Sequence, residues 1–168
     1  MKKRLFAILT LTLMVLTVSA QRVVAFVTDS DLFTNLRDAP KGKVIGKIDN
    51  KLTAMVVLEN CTNGWWKLAE TPSYAEEDVE IPLQPSATGY WIHYSMVGFG
   101  TRNYGGQTLH LRKSPDDKAP ITYSFSKELT LHPIGVQGDW VKVKTSDGKH
   151  SGWIEMDWIC ANPLTNCC

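Results

Sequence analysis

Two short stretches, "NGWWKL" (Asn63–Leu68) and "GDWVKV" (Gly138–Val143), decide how this chain folds. Each is a polar turn followed by a Trp-led run. Each is answered later by a second Trp-led run: "GYWIHYSMV" (Gly89–Val97) after the first, "GWIEMDWI" (Gly152–Ile159) after the second. Apolar–polar alternation with a period of two marks a strand with one buried face. Each pair therefore reads as a β-hairpin with Trp at equivalent places.

Working outward, "TNLRDAP" (Thr34–Pro40) aligns without a gap with "LHLRKSP" (Leu109–Pro115). Leu36 to Trp65 and Leu111 to Trp140 are both 29 residues. Leu52-Thr53 matches Leu129-Thr130 within a couple of residues. Trp91-Ile92 matches Trp153-Ile154, and Met96-Val97 matches Trp158-Ile159. The hairpin loops differ. Trp65 to Trp91 is 26 residues and Trp140 to Trp153 is 13, so the first copy carries an insert of 13 residues. It falls in Ala69–Thr88, which has Glu70, Glu76, Glu77, Asp78 and Glu80, no basic residue, and Pro72, Pro82 and Pro85. Proline cannot serve a central strand, so this is a long loop or an extruded hairpin. Its charges suit a solvated loop, or a lid or finger that meets a basic patch. The carboxylate spacing lacks the alternation and central Gly of a calcium loop.

Internal repetition at this scale is the main organisational signal. Arg22–Val27 is a short leading strand. Pro40 to Lys51, with Lys and Asp interleaved among apolar residues, reads as an exposed loop that touches the core at a few points. Leu52 to Leu58 is a buried strand. Gly98 to Thr108 is Gly-rich and reads as a linker or wide turn, with Phe99 and Tyr104 shared between the copies. No helical period occurs, and short strands at this spacing predict small barrels.

The N-terminus carries Lys2, Lys3 and Arg4, then an apolar run from Leu5 to Val18 and small residues before Gln21. That is the pattern of a signal peptide, 1–20, cut near Ala20, with no membrane span left after cleavage. Of the 18 basic and 17 acidic residues in the chain, three basic ones would leave with it, giving a net charge of 15 − 17 = −2. No basic block remains to track a phosphate backbone, so nucleic acid is not an expected partner. The expected location is secreted or periplasmic, where cysteines serve as disulfides. Four cysteines allow three pairings. A Cys167–Cys168 bond needs a strained vicinal ring, and the other two pairings both tie the tail to Cys61 and to Cys160. Cys160 is expected to bond Cys167 or Cys168. The partner of Cys61 stays open, since it requires the tail to reach the first copy.

His93, His110, His132 and His150 lie at no metal-ligand spacing, and no metal or cofactor is expected. Cys61 sits in a turn with no helix after it, the wrong place for an activated thiolate. Trp65, Trp91, Trp140 and Trp153 read either as core residues or as part of an aromatic shelf for sugar faces or Pro-rich peptide. Trp65 and Trp66 cannot face the same side of a strand, and Trp66 is the expected surface residue. Tyr90 follows the same logic beside Trp91.

The ordered pattern "NLRDAP", "NGWWKL", "GYWIHYSMV" and again "HLRKSP", "GDWVKV", "GWIEMDWI" resembles the bacterial SH3-like domain family, small five-stranded β-barrels of the cell envelope. The resemblance covers Thr34–Val97 and Leu109–Ile159. The second copy departs with His110 where Asn is usual, the first with its acidic insert. The resemblance implies an all-β chain of two tandem SH3-like barrels. These would span 21–98, with insert 69–88, and 109–160, joined by a linker at 99–108 and followed by a Cys-containing tail at 161–168. It also implies a non-catalytic envelope protein holding peptidoglycan or an extended peptide in an aromatic groove. The expected contacts are Trp66, Tyr90, Trp91 and the Pro40–Lys51 loop in the first copy, with Trp140, Trp153 and Trp158 in the second. The alternative is a structural or assembly protein that contacts another envelope protein through the paired barrels and insert, without a small ligand.

Overall fold

The computed structural model describes residues 21–76 and 79–165. The expected signal peptide, Glu77, Asp78, Cys167 and Cys168 lie outside them. The fold is all-β. Its strands are β1 (Arg22–Val27), β2 (Phe33–Arg37), β3 (Val44–Asp49), β4 (Ala54–Thr62), β5 (Trp65–Leu68), β6 (Ser73–Tyr74), β7 (Trp91–His93) and β8 (Val97–Thr101), then β9 (Leu109–Arg112), β10 (Ile121–Phe125), β11 (Thr130–Gln137), β12 (Trp140–Thr145), β13 (Ser151–Glu155) and β14 (Ile159–Cys160). Single 3-10 turns, Tyr94–Met96 and Met156–Trp158, follow β7 and β13.

Among the described residues the strands form one antiparallel sheet of fourteen, rather than two separate sheets. Within it one order occurs twice: β3-β2-β7-β5-β4-β1 and β10-β9-β13-β12-β11-β8. The registers repeat as well. Arg37 pairs Trp91 as Arg112 pairs Trp153, and Trp65 pairs His93 as Trp140 pairs Glu155. The repeat seen in the sequence is thus a repeat of strand register.

The halves meet at β8, which the Gly-rich reading placed partly in a linker. Phe26-Val27 of β1 pair Gly98 and Val97, while Thr130-Leu131 of β11 pair Gly100 and Phe99. Phe99 is fully buried; Tyr104 is exposed and only the segment after β8 is open chain. One apolar cluster runs through both halves, from Val23, Leu36 and Ile92 to Leu111, Val141 and Ile154. Each fully buried Ile or Leu there contributes about 1.5–3 kcal/mol of transfer free energy.

The expectation of an exposed loop from Pro40 to Lys51 is corrected: Val44–Asp49 is β3, with Ile45 and Ile48 buried. Only the turn before it and Asn50-Lys51 after it lie outside the strand. The acidic insert is no extruded finger. β6 pairs Ala54 and Met55 of β4 on the side that β5 occupies further along, so the chain stays on the sheet beyond Leu68. The excursion after β6 then folds back on β3. Leu83 forms a bridge with Gly46, the Gln84 amide donates to the Ile45 carbonyl at 2.8 Å, and Ile81 is buried. The Thr53 amide donates to the Glu76 carboxylate at 2.9 and 3.1 Å, and those hydrogen bonds hold its carboxyl below the usual range. A Cβ on Gly46 would lie 2.4 Å from Leu83 Cδ2. The register-equivalent residue in the second half is Tyr123, whose ring stacks on His150 at 3.8 Å. Leu83 therefore fills in the first half a place that a side chain of the strand itself fills in the second.

Candidate functional site

Each half carries a cleft beside its Arg–Trp strand pair. In the first, a cleft of about 180 Å³ is lined by Asp29, Asp31, Phe33, Asn35, Arg37, Trp65, His93 and Met96. In the second, one of about 70 Å³ is lined by Thr108, Leu109, His110, Arg112, Asp117, Trp140, Ile154, Glu155 and Trp158. The repeat alignment maps these linings onto each other. Phe33, Asn35, Arg37, Trp65, His93 and Met96 correspond in turn to Thr108, His110, Arg112, Trp140, Glu155 and Trp158. The arginine and first tryptophan are kept; the other four positions differ.

Period-two strands explain the placement. Phe33, Asn35 and Arg37 alternate with buried Thr34 and Leu36, so they share the outer face of β2. Arg37 then turns back, its Nη1 donating to the Gly42 carbonyl at 2.7 Å, with its guanidinium carbon 5.8 Å from the Trp65 ring. Arg112 does the same, donating to the Ala119 carbonyl at 3.0 Å. Each arginine fixes the turn after its strand and forms one wall of its cleft. The other wall of the first cleft is the 28–32 loop. Asn50 Nδ2 donates to the Asp31 carbonyl at 2.8 Å, and the Asp29 carboxylate accepts from the Asp31 amide and the Thr34 hydroxyl at 3.1 and 2.9 Å. His93 closes the floor, its ring edge-on to Trp65 at 5.1 Å and its Nδ1 2.8 Å from Ser95 Oγ. Burial pushes the His93 imidazole below its ordinary pKa, favouring the neutral ring.

Each cleft thus sets two carboxylates and one guanidinium against an indole: Asp29 and Asp31 with Arg37, and Asp117 and Glu155 with Arg112. Such a lining can receive a ligand that carries both an ammonium and a carboxylate on an apolar or sugar face. A larger hollow of about 490 Å³ lies between β3 and the insert, but its lining offers one charged side chain, Lys47, and no aromatic ring.

The expected contacts divide. Trp140 and Trp158 line the second cleft. Trp91 and Trp153 are half-buried on the same outer faces as His93 and Glu155 but outside the cleft linings. Tyr90 donates its hydroxyl to the Gln84 carbonyl at 3.2 Å, so it serves the insert. Trp66 is 0% exposed, and its Nε1 donates to the Pro133 carbonyl at 2.8 Å in the other half. The two tryptophans do face opposite sides, but Trp65 faces out. The alignment held the signal: Trp66 corresponds to Val141, an aliphatic core residue. Phe33, Arg37, His93 and Met96 were not anticipated as lining residues. Their common membership shows only once β2 and β7 are paired.

Cys61 has a free thiol, half-buried in β4 at a bulge, and burial pushes its pKa up. That removes it from the disulfide candidates. Cys160 is buried at the end of β14, while Cys167 and Cys168 fall outside the described residues. None of the described helices is long and apolar enough to cross a membrane.

The Arg–Trp strand pair and its hairpins have a known counterpart. Residues 107–159 match the bacterial SH3 domain family. That match spans the second half from the start of β9 to the start of β14. The first half carries the same strand order and registers without such a match, its hairpin interrupted by the insert. No curated protein matches the chain. Bacterial SH3 domains are in general cell-wall or peptide-binding modules, often extracellular.

Proposed function

We propose that the chain is a secreted or periplasmic, non-catalytic protein of the cell envelope, built from two SH3-like barrels, whose ligand is peptidoglycan. The observation that carries this is the pair of clefts at register-equivalent positions, each joining an arginine, an indole and two carboxylates. Peptidoglycan stem peptides bear free carboxylates and amines beside sugar faces, and that chemistry complements such a lining. The family match over 107–159 supports the same direction. The reading takes the protein as non-catalytic; burial pushes the Cys61 thiol up, the reverse of what activates a nucleophile, which supports it for that one residue. In the same reading the tail closes through Cys160 with Cys167 or Cys168.

The test is co-sedimentation of the mature chain with purified peptidoglycan. Saturable binding, weakened at least tenfold by Trp65→Ala with Trp140→Ala in a protein that keeps its circular dichroism, is the expected result. No sedimentation of the wild type would overturn the reading.

One observation favours a second reading, an assembly protein that contacts another envelope protein. Leu32 and Phe33, at the rim of the first cleft, are 70% and 47% exposed. Exposed apolar side chains beside a cleft are suited to a protein contact. A stable partner recovered from envelope extracts, lost with Leu32→Ser and Phe33→Ser, would support it.

A further inference from the structure

We infer that the protein holds two non-identical ligand clefts at a fixed separation and grips one peptidoglycan strand at two of its repeating units. This rests on the proposed ligand and goes beyond it, because a single cleft would satisfy that reading.

The first support is the equivalence of the clefts. Arg37 with Trp65 and Arg112 with Trp140 occupy the same register positions. Each arginine donates to a backbone carbonyl of its following turn, so each cleft is preformed in the same way.

The second support is the rigidity of the frame. The halves are not beads on a tether. β8 pairs with β1 of one half and β11 of the other. Trp66 reaches across to Pro133 at 2.8 Å, and His132 Nδ1 lies 2.7 Å from the Val97 carbonyl. A rigid spacing removes the linker entropy that ordinarily weakens a second binding event.

The third support is divergence around a constant centre. Where the first cleft has His93 and Met96, the second has Glu155 and Trp158. Two sites that read different parts of a repeating ligand tolerate such divergence, provided both keep the shared arginine and indole. On a polymer of identical units, the second contact becomes intramolecular and overall affinity rises by roughly 10²–10⁴-fold when the spacing fits.

The experiment is calorimetric titration of the mature chain with two soluble probes. One is the single disaccharide–tetrapeptide unit, the other an uncrosslinked glycan strand of several such units. We expect two single units bound per protein, and strands bound at least tenfold more tightly than one unit. Trp65→Ala or Trp140→Ala alone should abolish that gain and leave one unit bound. Phe33→Ser, an exposed rim change, and His110→Ala, which removes a smaller ring than either indole, should each reduce the gain should the tryptophan variants fail to fold. One unit per wild-type protein, or strands bound no more tightly than single units, overturns the inference while leaving the proposed ligand standing. No binding of either probe overturns the ligand itself, and the inference with it.

Discussion

The indole nitrogen of Trp66 donates to the carbonyl of Pro133 at 2.8 Å, from the core of one half into the backbone of the other. Pro133 lies inside β11, where proline is usually excluded because it has no amide to donate. The register shift between Pro133 and Gly135 lets the strand accommodate it. The carbonyl then has a partner in Trp66. Trp66→Phe keeps most of the apolar volume and leaves that buried carbonyl unsatisfied, at a cost of about 1–3 kcal/mol. Trp66→Ala costs about 3–5 kcal/mol. Urea denaturation followed by circular dichroism checks both. Equal stability of Trp66→Phe and wild type would show that the hydrogen bond adds nothing.

The contact of Leu83 with Gly46 gives a second prediction. Gly46→Val introduces atoms where Leu83 Cδ2 sits and should destabilise the protein by about 1–3 kcal/mol. The loss should shrink in a Leu83→Ala background, since residues in contact are energetically coupled. Limited proteolysis reads the same event: the excursion between β6 and β7 becomes more readily cut in Gly46→Val. Additive effects of the two changes would remove the contact as their cause.

The insert shows where sequence reading stops. Its prolines and charges spoke against a central strand, and its length marked it as irregular. Nothing local told that it would fold back, because its docking depends on a missing side chain at Gly46, far off in sequence. The Pro40–Lys51 stretch failed for a related reason. Gly46 and Ile48 of β3 share the inner face, paired with buried Leu36 and Thr34, but a glycine at one of those two places and the exposed Lys47 between them disguised the strand as loop. By contrast, β1, β5 and the 29-residue spacing were legible, since they rest on alternation and turn chemistry alone. The cleft was half legible. Arg37 and Trp65 stood out as repeated residues, but which tryptophan faced outward needed the comparison of Trp66 with Val141.

His93 provides a pH prediction. Its pKa is depressed by burial, so the unfolded chain binds the proton more readily than the folded one. The stability it contributes is present above the ordinary value of about 6.5 and is lost as pH falls through the lower folded value. His93→Gln should flatten that part of the stability–pH curve. Titration of the ring by NMR should give a midpoint below that of a free histidine; a midpoint at or above it would contradict the buried setting.

Cys61 provides a chemical one. A thiol pushed up by burial is mostly protonated at neutral pH, so alkylation of the folded protein should be slow at pH 7 and accelerate toward pH 9 and above. Mass spectrometry of the Cys61 peptide after timed maleimide treatment follows it. Rapid labelling at pH 7 would mean an exposed, activated thiol.

The strand β8 has a consequence for how such a chain can change over generations. A duplicated module joined by a tether can lose either copy and leave the other intact. Here the strand that closes one half against β1 is the same strand that begins the other against β11. Deleting either copy strips a shared strand of its neighbour and exposes Phe99 to water. Neither half can therefore be cut away without leaving an edge of β8 unpaired.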